Sequence, residues 1–201
     1  NQQIVQRIKG KKAFDYQDGI LQQSRGDIDR VVRTARSHVA NTTYMDTYKA
    51  LGFTHVKFVA TLDGRVSKTC ASLDQSMWEI ESPKIRRPPL HPHCRSVLVG
   101  VDADGNLAGQ RPFVMDERKV KDIPKDQRDG IIGQLDANTS FKQFFDKADD
   151  FFQKEWLGEK RYKLFKDGNY SIDKFVDPLG RQYSLAELKI LDEKTFKALG
   201  I

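Results

Sequence analysis

Apolar residues recur at helical spacing over one long stretch, Ser24 to Leu51. Ile28, Val31, Val32, Ala35 and Val39 follow the i, i+3, i+4, i+7 rhythm, and Tyr44, Tyr48 and Leu51 resume it. Gly52 stands where a left-handed C-terminal cap belongs. The pattern predicts a long helix with that apolar stripe buried and Arg30, Arg33, Arg36 and Lys49 on the opposite side. Beyond Gly52 the period drops to two: Thr54, Val56, Phe58 and Ala60 alternate with Phe53, His55, Lys57 and Val59, as in a half-buried strand. That strand stops at the turn Asp63-Gly64. Met77 to Ile80 and Arg95 to Val101 read as two more strands, the last closed by Asp102-Ala-Asp-Gly105, so the middle of the chain is expected to form a small antiparallel sheet.

Between these strands Pro88, Pro89 and Pro92 fix φ and remove amide donors, which makes Arg86 to Cys94 a rigid extended loop. Residues 107–138 lose periodicity and mix charges, and read as an extended excursion or linker. Helical signal returns at Thr139 and Ser140, ahead of Phe141, Phe144, Phe145 and Ala148 on one face. Phe151, Phe152, Trp156, Leu157, Tyr162, Leu164 and Phe165 then suggest two short amphipathic helices ending near Gly168. Ser184-Leu-Ala-Glu187 is a capping box opening a last helical region that reaches Leu199. The aromatics are expected to fill a core, since base-stacking readers interleave exposed aromatics with basic residues on a strand face. The division that follows is a basic arm or linker over 1–23, an α+β core domain over 24–106, the excursion over 107–138 and a C-terminal helical region over 139–201. The fold class is α+β: a long N-terminal helix on a small antiparallel sheet with a Pro-rich loop, then helices.

Charge adds to this picture. Thirty-four Lys and Arg against 28 Asp and Glu give +6, with the excess concentrated in Arg7, Lys9, Lys11 and Lys12 and again in Lys84, Arg86, Arg87 and Arg95. Such a balance is first that of a solvated basic face, and it also suits a polyanion or an acidic partner, for which Arg30, Arg33, Arg36, Arg86 and Arg87 are the candidate anion or DNA contacts. No apolar run approaches the roughly 18 to 20 residues of a membrane span.

Candidate chemistry is confined to Phe58 to Arg95. Cys70, His91, His93 and Cys94 are four residues of zinc-ligand type, yet no close Cys pair anchors them, and His91 and His93 alternate along an extended loop. Zinc, a disulfide, and plain packing of the loop on the sheet are all open at this point; the expectation is packing, with no metal and no cofactor. Cys94 with His91, or Cys70 with Asp63 and Asp74, would supply parts of a nucleophilic site. No nucleophile elbow, phosphate-binding glycine loop or nucleotide fingerprint accompanies them, so no enzyme is expected.

These strings resemble a known family. Arg33-Thr-Ala-Arg36, the strand Lys57 to Arg65, Cys70-x-x-Leu73-Asp74 and Pro88-Pro-Leu-His-Pro-His-Cys-Arg95 are similar to the Mu F-like minor head proteins of tailed bacteriophages. The likeness is continuous over about Ser24 to Val101 and extends through Leu157 to Gly168 and Asp173 to Leu188. Many members carry a second Cys after the first and close the loop with Cys-Arg-Cys; here those places hold Leu73 and Ser96. The resemblance implies a structural motif of Asp63, Arg65, Cys70, Asp74, His91, Pro92, Cys94 and Arg95. It also implies a head protein assembled in the host cytoplasm into the procapsid near the portal vertex. Its partners would be the portal, the major capsid protein, scaffold and phage DNA, with no membrane and no small-molecule substrate. The readings from other classes are a metal- or cysteine-dependent enzyme acting on nucleic acid in the head, and a DNA-binding accessory protein.

Overall fold

The computed structural model describes residues 20–201, with side chains from Ser24 onward. Residues 1–19 of the expected basic arm lie outside the described residues, and its last positions are already helical. Helix α1 spans Ile20–Ala50 and ends where Gly52 takes φ +80°. Its packed face is not the apolar stripe. Ile28, Val31, Val32 and Val39 are 58 to 65% exposed, whereas Asn41 and Met45 are buried and Thr34, Ser37, Ala40 and Tyr48 are half-buried. Periodicity shows which side of a helix is apolar, not whether a sheet lies against it; here only the C-terminal half of α1 reaches the sheet. Asn41 is tolerated inside because its amide is satisfied. Its Oδ1 accepts from Leu98 N at 3.1 Å and its Nδ2 donates to Ser37 O at 2.9 Å.

Strand β1 (His55–Val59) lies between β3 (Met77–Glu79) and β4 (Val97–Val101), antiparallel to both, with Val56 opposite Trp78 and Phe58 opposite Leu98. The predicted alternation holds from Val56, where Val56, Phe58 and Ala60 face inward. On β4, a Cβ at Gly100 would come within 2.8 Å of the Tyr48 ring, so glycine permits the close approach of α1.

A second sheet occupies the stretch read as an excursion. The short β2 (Leu62–Asp63) runs parallel to β5 (Gln110–Val114), which pairs antiparallel with β6 (Ile132–Asp136). Neither long strand looks like one in sequence. Strand β5 buries a charged Arg111 and includes Pro112, while β6 places Gly133 against the Phe113 ring, where a Cβ would meet that ring at 2.7 Å. The usual apolar alternation is therefore broken on both strands.

The C-terminal helices begin at a Ser140 capping box. The capped helix and the two aromatic-rich helices expected before Gly168 are α3 (Phe141–Lys147), α4 (Asp150–Leu157) and α5 (Glu159–Lys166), separated at Ala148 and at Gly158, whose φ is +76°. A second capping box at Ser184 opens α6 (Leu185–Leu191), and α7 (Glu193–Leu199) ends at a left-handed Gly200. Phe141, Phe144, Phe145, Phe152 and Trp156 are buried in one cluster with Val56, Phe58 and Leu98, so helices and sheet share a core. Trp156 Nε1 donates to Val66 O at 3.0 Å across that junction. Replacing Ser140 by alanine removes the hydroxyl that accepts from Gln143 N at 3.1 Å and should cost about 1 kcal/mol in urea unfolding. An unchanged midpoint would show that this cap is dispensable.

Candidate functional site

Helix α2 (Lys68–Leu73) is N-capped by Ser67, whose Oγ accepts from Cys70 N at 3.1 Å, and this fixes Cys70 one turn into the helix. Facing it, residues 86–96 form neither helix nor strand, and a turn closed by Cys94 N to His91 O at 3.1 Å brings the two together. Cys70 Sγ lies 3.2 Å from His91 Nε2 and 3.7 Å from Cys94 Sγ, with both thiols free and buried. His91 Nδ1 sits 2.9 Å from Pro92 O, so it carries the proton and leaves Nε2 as an acceptor. Ser67 Oγ also approaches Nε2, at 2.9 Å. Cys70 donates to Cys94, which holds the Cys94 thiol below its ordinary value, aided by backbone N–H groups of Leu90 and Ser96. The same bond, together with burial, pushes Cys70 up. His91 is oriented by a carbonyl rather than a carboxylate, so the corner lacks the acid of a catalytic triad.

Two buried carboxylates brace this corner. Asp63, 5% exposed, receives a two-pronged hydrogen bond from Arg95, one prong of 2.7 Å, and lies 3.6 Å from Arg65. Arg65 N also donates to Asp63 Oδ1 at 3.0 Å, which shapes the turn after β2. Asp74, just past α2, accepts from Ala60 N at 2.7 Å, Phe141 N at 2.6 Å, and Arg111 at 3.0 and 3.1 Å. Arg111 also donates to Thr139 O and Ala60 O, so one ion pair ties β1, β5, α2 and α3 together. Arg111 was not legible as a site residue; its single charge inside β5 was the only hint.

The outer face of the same loop forms a basic cleft of about 680 Å³ against α1. Arg33, Arg36, Arg65, Arg95, Lys119 and His93 line it, with Asp29 as the acid among its lining residues. Arg33 holds the Asp29 carboxyl below its ordinary value through a 2.8 Å hydrogen bond, and the positive field of His93 and Lys119 acts in the same direction. His91 and His93 thus serve opposite faces of the loop: His91 meets the cysteines, and His93 meets the cleft.

The remaining candidates are dispersed. Arg30 pairs with Asp27 within α1, Arg86 donates to Leu179 O in the C-terminal region, and Arg87 lines a separate small cavity beside Asp46 and Lys49. Pro92 is exposed and contributes its carbonyl to His91. Nothing local in the sequence marks Lys119, whose partners in the cleft lie about 25 to 85 residues away.

The described residues thus place a helix on an antiparallel sheet with a Pro- and His-bearing loop pinned against α2. Residues 1–99 match the family described as phage Mu protein F like protein. The match covers just under half of the chain and makes it similar to the Mu F-like family, which is one of phage head morphogenesis. No curated protein and no solved structure matches the chain. Among the described residues no helix is long and apolar enough to cross a membrane.

Proposed function

We propose that this chain is a structural minor head protein of a tailed bacteriophage, built into the procapsid near the portal vertex with its basic cleft against packaged DNA. The supporting observation is the cleft itself. Five cationic side chains from α1, the turn after β2, the motif loop and the segment before β6 converge around one concavity. Phosphates are the anion that such a spaced set of guanidinium groups neutralises best. Its neighbours in the head are the portal, the major capsid protein and scaffold, and no substrate is turned over.

Arg36 and Lys119 make no ion pair among the described residues, so replacing either by Gln removes charge without unpairing a carboxylate. Each substitution should lower the slope of log affinity against log salt for duplex DNA by about 0.9 while the unfolding midpoint stays put. Arg30→Gln, outside the cleft, should leave the slope unchanged. Unaltered slopes for Arg33, Arg36 and Lys119 variants would remove DNA from the reading. Cross-linking mass spectrometry on assembled heads tests the location separately: contacts confined to sites far from the portal would overturn it.

A further inference from the structure

We infer that Cys70 Sγ, His91 Nε2 and Cys94 Sγ form a zinc site that staples the Pro-rich loop to α2, with a water or the Ser67 hydroxyl at the fourth position. The three ligand atoms lie within 4.8 Å of one another. A tetrahedral zinc ion, with Zn–S of about 2.3 Å and Zn–N of about 2.0 Å, separates its sulfurs by about 3.8 Å and sulfur from nitrogen by about 3.5 Å. The observed separations are 3.7 Å between sulfurs and 3.2 Å from Cys70 Sγ to His91 Nε2.

The surroundings agree with the distances. His91 donates its Nδ1 proton to a backbone carbonyl, the arrangement that fixes the tautomer and ring orientation of metal-bound histidines. Its one Nε2 lone pair is approached by both the Ser67 hydroxyl at 2.9 Å and the Cys70 sulfur at 3.2 Å, one more neighbour than a single hydrogen bond uses. A cation between these atoms accounts for all of them. Two thiolates and an imidazole in a buried corner are a donor set that selects zinc over magnesium or calcium. The scattered spacing that argued against a metal in the sequence is overcome by the fold: the Ser67 cap and the His91 to Cys94 turn bring the two segments together.

Protein purified under reducing conditions, stripped with chelator and reloaded with Zn²⁺ or Co²⁺, should retain about one equivalent of metal after dialysis. The Co²⁺ form should show thiolate charge-transfer absorption and intense tetrahedral d–d bands. Cys70→Ser, Cys94→Ser and His91→Gln should each abolish retention, whereas His93→Gln should keep it. If those variants fail to fold, the wild-type cobalt spectrum decides alone: a spectrum without thiolate bands overturns the site. Two titratable thiols with no retained metal, a Cys70–Cys94 disulfide in the reduced preparation, or equal loss on His93→Gln would overturn it as well.

Discussion

Asp74→Ala is expected to lower folding stability by about 3 to 5 kcal/mol, among the largest effects of any single substitution outside the aromatic core. The Asp74 side chain is 1% exposed and faces Arg111, itself 7% exposed, so the variant leaves a guanidinium in the interior without its counter-charge. It also strips the carboxylate acceptor from Ala60 N and Phe141 N. Arg111→Met should be harmful by a similar route, since it strands the carboxylate. Combining Asp74→Leu with Arg111→Met should cost less than the sum of the single losses, because neither charge is then left alone. Equilibrium urea unfolding measures all of these. A loss under about 1 kcal/mol for Asp74→Ala would mean that the ion pair is not the junction described above.

Phe145→Ala should cost about 3 to 5 kcal/mol, because the ring is fully buried and the surrounding rings close only partly over the space it leaves. Its centroid lies 4.9 Å from Trp156 and 5.3 Å from Phe165, in tilted and edge-on arrangements that add to the area term. The buried cluster runs unbroken into β1 and β4, so loss of Trp156 fluorescence and loss of sheet signal should coincide in one transition. Phe151→Ala is the control: that ring is 76% exposed and its removal should change little. Two separated transitions in the Phe145 variant would contradict a shared core.

What could be read from the sequence was what is local. The alternation of Val56, Phe58 and Ala60 fixed the inner face of β1, and the boxes at Ser140 and Ser184 fixed two helix starts, because a cap is settled within four residues. His91 and His93 do serve opposite faces, but through the His91 to Cys94 turn and the positive φ of His93 (+59°) rather than through an extended loop. What failed depended on distant partners. The stripe of Ile28, Val31, Val32 and Val39 announced burial that the sheet does not provide, and Asn41 took the inner position because Leu98 N needed an acceptor. Strands β5 and β6 were invisible because their pattern is spent on Arg111, on Pro112 and on a glycine beneath Phe113. In the candidate site the loop residues were legible by type, but neither Arg111 nor Lys119 carries a local mark of its role.

The 31-residue helix α1 behaves as a beam held on the sheet along its C-terminal half, with one further tie at Thr34, whose Oγ1 accepts from His93 N at 3.4 Å. Its hold on the sheet is concentrated at Asn41 and Met45, and Arg33 stands eight residues back toward the N-terminus, about 12 Å along the axis at 1.5 Å per residue. Tilting the beam by about 5° about Asn41 would therefore carry the Arg33 turn by about 1 Å, which is the scale separating a direct phosphate contact from one bridged by water. The far wall of the cleft cannot follow, because Arg95 and Arg65 are fastened to Asp63. A change in the helix angle would therefore change the aperture of the cleft, with the Thr34 to His93 hydrogen bond as the restraint across it.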